Sequence, residues 1–143
     1  MQYEKSSGNK GRLEVGSLEG KFKKFEKQIR TVARSLLDIS GKRHASLEVY
    51  LVGAKVMEKN VLAFPAPKRF VRPDAKGIFL GEIYLNPDYI ETHGENLIYM
   101  LVHGFLHLLG YDHMKKNDRM AMERRERALM NRVAKSFQEG VFQ

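Results

Sequence analysis

The residues from Asn96 to His113 read NLIYMLVHGFLHLLGYDH, and this stretch decides the fold. It is almost entirely apolar as far as Leu109, which predicts a helix from about Glu95 to Leu109 that is buried on most sides. His103 and His107 lie four residues apart, so they face the same side of that helix with Cβ atoms roughly 5 to 6 Å apart. Two imidazoles placed in this way can bind one metal ion, which would satisfy ring nitrogens that are costly to bury without a partner.

A third histidine, His113, follows a glycine that can end the helix. On a continuous helix, which rises about 1.5 Å per residue, His113 would lie roughly 15 Å beyond His103, far outside the reach of zinc-nitrogen bonds of about 2.0 to 2.1 Å. Gly110 can adopt the left-handed conformation that terminates helices, so the chain can turn back there. We therefore predict that His103, His107 and His113 bind one zinc ion, although nickel, cobalt or iron would also suit three imidazoles. Three protein ligands leave one position for water, which is typical of a metal-dependent hydrolase.

Other polar residues are candidates for supporting roles. Asp112 could orient a ligand imidazole or transfer a proton as a catalytic residue, but it could equally stabilise the turn after Gly110. Glu82 is a second candidate carboxylate that could also be purely structural. A fourth protein ligand, His44 or His93, would instead make the zinc site structural. We expect His93 to be a capping or surface residue, and His44 lies in a polar stretch.

Composition limits the classes of protein to consider. The 143 residues suffice for a single domain with its own core. The absence of cysteine excludes disulfides and thiolate metal sites and fits the reducing cytoplasm, and no apolar run approaches the roughly 20 residues of a membrane span.

The net charge is +8, and the excess lies in residues 1–43 and 115–135. This charge favours a polyanionic partner such as nucleic acid, although solvated helix faces would also carry it. Oligomeric state stays open.

The rest of the chain predicts an α+β fold, in which a small mixed β-sheet is packed with helices and the metal-bearing helix is central. Residues 1–16 are predicted to be a flexible leader or a frayed strand, and residues 17–143 a single domain. Apolar residues at steps of three and four predict a helix from Leu18 to Ile39, capped by Ser17 and ended by Ser40 and Gly41. The remaining predicted elements are strands at Ser46–Val52, Val61–Phe64 and Ile78–Leu85, a loop or edge at Pro65–Lys76, and a helix at about Asp118–Phe137.

The histidine run resembles the signature of the YbeY family of bacterial endoribonucleases, His-Gly-x-Leu-His-Leu-x-Gly-Tyr-Asp-His. Every fixed position is present from His103 to His113, and two further stretches, Asn60–Pro65 and Leu80–Ile83, are similar to strands of that family. The resemblance implies a cytoplasmic endoribonuclease that acts on single-stranded RNA in rRNA maturation and ribosome quality control. It also implies association with the small ribosomal subunit and a zinc ion bound by the three histidines of the run.

The chain departs from the family pattern in two places. Only Gly53–Lys59 connects the strand at Ser46–Val52 to the next strand, so the family arginine that contacts the RNA phosphate has no counterpart. Ala63 also replaces the usual serine. Two interpretations stay open: another cation, namely Lys59, Lys68 or Arg69, takes the phosphate role, or catalysis is altered.

Two other functions are compatible with three histidines. The missing arginine gives weight to a non-catalytic, zinc-containing ribosome-assembly factor. A zinc metallopeptidase is the third interpretation, but such enzymes carry a general-base glutamate directly after the first histidine. Here Gly104 occupies that position, which makes peptide hydrolysis the weakest of the three.

Overall fold

A computed structural model describes residues 11–67, 78–111 and 116–138 of the chain. Strands and helices alternate irregularly along these segments, with short connections between most of them. The elements are β1 (Leu13–Ser17), a 3-10 helix (Gly20–Phe25), α1 (Glu26–Ile39), β2 (Ser46–Leu51), β3 (Val61–Pro65), β4 (Phe79–Leu85), α2 (Pro87–Thr92), α3 (Leu97–Leu108) and α4 (Lys116–Gln138).

In the described segments the strands form one sheet in the order β1-β2-β4-β3. β1 and β4 both pair with β2 in parallel, whereas β3 pairs with β4 in antiparallel orientation. Alternate residues of β2, namely Leu47, Val49 and Leu51, are fully buried, while Glu48 and Tyr50 between them are only half-buried. The sheet therefore has a core face covered by helices and a second, more open face, which confirms the α+β fold with a small mixed sheet.

Helix α3 lies at the centre of the molecule. It packs on β3 and β4 and also contacts α1, α2 and α4. It begins after Asn96, whose side chain accepts a hydrogen bond from the backbone N–H of Tyr99 at 2.9 Å. Its apolar side chains are buried as predicted, with Leu101, Val102, Phe105 and Leu106 all fully inaccessible to solvent.

The end of α3 also confirms the prediction from Gly110. This glycine has a φ of 99°, and its N–H donates to the carbonyl of His107 at 3.0 Å. The N–H of Tyr111 donates to the carbonyl of Leu106, also at 3.0 Å. This pair of bonds is the Schellman arrangement that closes a helix through a left-handed residue.

The first helical segment differs from its prediction at the start. The chain forms a 3-10 helix before α1, and Ser17 is not a cap but the last residue of β1, where its hydroxyl donates to a carboxylate oxygen of Glu26 at 2.5 Å. The predicted end is correct, because Ser40 is the C-cap residue and Gly41 has a φ of 69°. β1 overlaps residues 1–16, for which the sequence predicted a flexible leader or a frayed strand, and extends one residue beyond them. Residues 1–10 lie outside the described part of the chain.

A short helix, α2, was not predicted. Asn86 and Pro87 do end β4, but Asn86 also caps α2 by accepting a hydrogen bond from Tyr89 N–H at 3.1 Å, and Pro87 occupies the first turn. The last helix, α4, runs slightly beyond its predicted bounds and buries Met122, Leu129 and Val133. None of the described helices is both long and apolar enough to cross a membrane.

Candidate active site

His103 and His107 converge on the exposed side of α3. Their Nε2 atoms are 3.2 Å apart, and their rings meet at 70° with centroids 4.8 Å apart. Two nitrogens that bind one zinc ion at about 2.0 to 2.1 Å with tetrahedral geometry would be about 3.3 to 3.4 Å apart. The observed separation fits both a hydrogen bond between the rings and two ligands of one divalent ion. The predicted convergence of this pair is therefore present in the fold.

A carboxylate from α4 fixes the orientation of the His103 ring. Glu126 is only 2% exposed, and its Oε2 atom accepts a hydrogen bond from His103 Nδ1 at 2.5 Å. Its other oxygen accepts from the Tyr99 hydroxyl at 2.7 Å. With the proton held on Nδ1, the Nε2 lone pair of His103 points towards His107. This is how a carboxylate prepares a neutral histidine to bind a metal ion.

Tyr99 is itself perturbed by this arrangement. Burial, followed by the hydrogen bond to Glu126, raises the pKa of Tyr99 to about 12 from an ordinary value of 10.0. Its hydroxyl therefore stays protonated and donates to the carboxylate throughout the physiological range.

Glu126 and Tyr99 were not among the predicted site residues, although both leave a signal in the sequence. Tyr99 precedes His103 by one helical turn, so it lies on the same face of α3. Glu126 falls between Met122 and Leu129 at steps of four and three, on the buried stripe of α4. A carboxylate on an apolar stripe requires a partner, but its identity depends on how α4 packs against α3.

The two histidines open onto a solvent-accessible groove of about 560 Å³. The groove is lined by residues of β3 and the segment before it, by α3 and by a tyrosine of α2. Its lining includes Lys59, Leu62, Ala63, Tyr89, His103 and His107. Ala63, the residue that replaces the family serine, therefore lies in the groove beside the histidines, so this wall lacks that hydroxyl.

Gly104 marks the closest approach of α3 to the sheet. A Cβ atom at this position would lie 3.0 Å from Cγ2 of Ile83 and 3.1 Å from Cγ2 of Val61. A side chain at 104 would thus point into the sheet and not towards the ring nitrogens. The packing explains why this position is a glycine and why it cannot supply the general-base glutamate of a metallopeptidase.

The remaining candidates fall in different places. His113, Asp112, Lys68 and Arg69 lie outside the described residues. Within residues 11–67, 78–111 and 116–138, no three histidine, aspartate or glutamate side chains assemble as a metal site. The exposed side chain of His44 lies in the connection before β2.

Two further candidates have local partners. His93 is the C-cap residue of α2, in agreement with its predicted capping role, and its ring stacks on Tyr89. Glu82 projects from the open face of the sheet, where it accepts a hydrogen bond from the Tyr84 hydroxyl at 2.9 Å. It lies on the opposite side of the sheet from α3, so it does not face the histidine pair.

Fold and site together define a class of protein: an α+β domain whose central helix presents a carboxylate-oriented histidine pair at an open groove. Comparison with known proteins is consistent with that class. The family model described as "Endoribonuclease YbeY" matches residues 17–134. The chain belongs to the YbeY family.

Curated relatives carry the same description. A protein named endoribonuclease YbeY from Rhodopseudomonas palustris is 37% identical over 82 residues, which are 52% of this chain and 43% of that protein. One from Desulfitobacterium hafniense is 48% identical over 46 residues, 32% of this chain and 29% of the relative. One from Bartonella henselae is 34% identical over 108 residues, 70% of this chain and 67% of the relative. The chain thus spans less than half the length of the first two relatives.

Proposed function

We propose that this protein is a metal-dependent endoribonuclease that cuts single-stranded RNA. The observation that carries the proposal is the convergence of His103 and His107 with Nε2 atoms 3.2 Å apart, while the buried Glu126 holds the proton on His103 Nδ1. Hydrogen-bonded carboxylates of this kind accompany histidine ligands in metal sites. Membership of the YbeY family, whose named relatives are endoribonucleases, supports the choice of RNA as substrate.

The residues that would hold the metal are His103, His107 and His113. A zinc ion, or another divalent transition metal, supplies Lewis-acid chemistry for phosphodiester hydrolysis when it is bound. Glu126 accepts the proton of His103 Nδ1 and fixes the orientation of the ring, and the Tyr99 hydroxyl holds the carboxylate in turn. We include Asp112 as the residue that orients His113 or transfers a proton, because it is adjacent to that histidine in sequence.

Lys59 is our candidate for the cation that takes the place of the family arginine at the RNA phosphate. It is exposed and borders the same groove as the two histidines. An ammonium group there would attract the RNA backbone and offset the negative charge that builds up on the phosphate during hydrolysis. Lys68 and Arg69 stay alternatives for this role.

We further propose that the enzyme acts in the cytoplasm in rRNA maturation and ribosome quality control, in contact with the small ribosomal subunit. The net charge of +8 supports an RNA-rich partner. The main competing function is that of a zinc-containing ribosome-assembly factor without catalysis, and the observation that favours it is Ala63 in the groove, where the family has a serine. A metallopeptidase is disfavoured because Gly104 faces the sheet.

The test combines metal analysis with cleavage assays on the full chain. The protein is stripped with a chelator, reloaded with zinc and incubated with single-stranded RNA, duplex RNA or an unstructured protein. We expect cleavage of the single-stranded RNA alone, and only after reloading. The variants His103→Ala and His107→Ala should lose both bound zinc and cleavage, whereas His44→Ala, which also removes one histidine, should retain both.

Each proposed function gives a different result. If the folded, zinc-poor His103→Ala protein cut RNA at the wild-type rate, the metal mechanism would be wrong. If the wild-type protein bound zinc and RNA without cleaving it, the assembly factor would be the better description.

A further inference from the structure

Tyr89 lines the histidine groove, and its backbone is anchored to the core. Its backbone N–H is bonded to the Asn86 side chain, which is 1% exposed and donates to the carbonyl of Met57 at 2.8 Å. The next residue, Ile90, is 2% exposed and anchors α2 in the core. The Tyr89 ring is thus held by a short helix that is tied to the body of the protein on both sides.

One face of the Tyr89 ring is covered by a second ring. The His93 imidazole stacks on it with centroids 3.8 Å apart and planes 13° apart, and His93 Nδ1 donates to the Tyr89 carbonyl at 2.8 Å. His93 and Tyr89 both border a second hollow of about 410 Å³, and Tyr89 also lines the groove of His103 and His107. Because His93 covers one face of the Tyr89 ring, only the other face could accept a base.

Charge distinguishes the two hollows. The second hollow is bordered by Glu58 and Asp88, and Asp88 forms an ion pair with Lys21 at 2.6 Å. The histidine groove is bordered by Lys59 and, apart from the histidines, by apolar and amide side chains. A polyanionic strand is therefore favoured on the groove side of Tyr89 and disfavoured on the other side.

We propose that Tyr89, backed by His93, is a stacking platform for one nucleobase of the RNA strand, next to the phosphate that lies at the histidines. This inference rests on the proposed function. Bases of single-stranded RNA can be splayed out of the strand and stack by their faces on aromatic rings of proteins, with little dependence on which base is present. Duplex RNA cannot present a base in this way, so the platform gives a physical reason for a preference for single strands.

The platform predicts an effect that depends on the position of a base in the substrate. Tyr89→Leu removes the ring and should lower kcat/KM on a short single-stranded RNA by about 5- to 150-fold, the loss of one base stack. Tyr89→Phe keeps the ring and should stay within about twofold of wild type, and His93→Ala should cause a smaller loss than Tyr89→Leu. Circular dichroism and thermal melting of each variant check that the fold is retained.

Abasic substrates identify the base that stacks. A series of RNAs is made in which one nucleotide at a time, on either side of the cleavage site, lacks its base. The kcat/KM of the wild type should fall by the factor that Tyr89→Leu loses when the base is missing at one position, and at that position only. The kcat/KM of Tyr89→Leu should not fall further when that base is missing. Folded Tyr89→Leu with wild-type efficiency, or with an equal loss on every member of the series, would overturn the platform.

A binding experiment separates this inference from the proposed function. The His103→Ala/His107→Ala double variant is titrated with RNA that carries 2-aminopurine at the position found above, or at each position if wild type does not cleave. Stacking on Tyr89 should quench the fluorescence, and adding Tyr89→Leu should remove the quench. A Tyr89-dependent quench without cleavage by the wild type would contradict the proposed nuclease function and support the stacking role of Tyr89. Cleavage by the wild type without such a quench would support the nuclease function and contradict the stacking role.

Discussion

Tyrosine–glutamate pairs lie on both faces of the sheet, and one from each face can be compared. On the covered face, Tyr99 donates to Glu126 at 2.7 Å, and on the open face Tyr84 donates to Glu82 at 2.9 Å. In both pairs burial, followed by the hydrogen bond to the glutamate, raises the tyrosine pKa. The two pairs are therefore chemically alike.

They differ in what the carboxylate does with its other oxygen. Glu126 joins α4 to α3 by also accepting from His103, and its carboxylate is almost completely shielded from water, since the residue is 2% exposed. Glu82 and its tyrosine are two residues apart on one strand, and both are half-buried. A tyrosine–glutamate pair is thus not by itself a sign of function. It becomes one where a buried carboxylate is shared with a ring that opens onto a groove.

The largest difference between the two faces should appear when the carboxylates are replaced. Glu126→Gln removes the charge that holds the proton on His103 Nδ1, so we expect zinc affinity and RNA cleavage to fall by about 10- to 100-fold. The matched change Glu82→Gln should leave both within about twofold. Zinc titration and cleavage rates measure the difference between the two variants. Equal effects would mean that the bond to His103 does not distinguish Glu126 from Glu82.

Packing density provides the second contrast. Gly104→Ala places a Cβ atom 3.0 Å from Ile83 Cγ2 on the covered face, and we expect the free energy of unfolding to fall by about 1 to 3 kcal/mol because the core is overpacked. Gly16→Ala on the open face meets only ordinary contacts at 3.5 Å from Tyr50, and should change stability by less than about 0.5 kcal/mol. Denaturant unfolding compares them. An unaffected Gly104→Ala protein would mean that α3 can move away from the sheet without cost.

Removal of the tyrosine hydroxyls should separate the two faces less clearly, because both variants lose a hydrogen bond. Tyr99→Phe takes one donor from a buried carboxylate, which should lower the free energy of unfolding by about 1.5 to 3 kcal/mol and slightly weaken zinc binding through Glu126. Tyr84→Phe should cost about 1 kcal/mol or less, since water can replace the hydroxyl at a half-buried glutamate. Thermal and denaturant unfolding of both variants gives the values. If the order were reversed, burial would not be what separates the two pairs.

The smallest effect is expected in alkali, where the two pairs should behave alike. Between pH 10 and about 12 the unfolded chain loses the Tyr99 proton while the folded protein keeps it, because the folded pKa is the higher. The unfolded state then binds fewer protons, so stability declines as the pH rises through this range. Tyr99→Phe should make the decline shallower, and Tyr84→Phe should do so as well. Denaturant unfolding between pH 10 and about 12 measures the free energy of unfolding, and tyrosinate absorbance checks the titration. The prediction is wrong if neither variant changes the slope of that free energy against pH.

Individual elements show which parts of the fold could be predicted from the sequence. The apolar run of α3, the alternation in β2 and the glycines at the ends of α1 and α3 are local signals, and the structure confirms them. β1 and α2 were harder to predict, because β1 is a short edge strand and Asn86 with Pro87 serves both to end β4 and to begin a helix. In the site, the spacing of His103 and His107 predicted their convergence, but the contact of Glu126 with His103 depends on how α4 packs against α3.

What the sequence determined by itself is the histidine pair on one face of a helix, the point at which that helix ends, and the family. These follow from the helical repeat, from the backbone freedom of glycine and from an ordered motif, all of which act within a few residues. Only the tertiary structure decided that Glu126, 23 residues from His103, meets its ring, that Gly104 faces the sheet and that Tyr89 lines the groove. Those contacts depend on how α2, α4 and the sheet pack around α3, and packing is a property of the whole core.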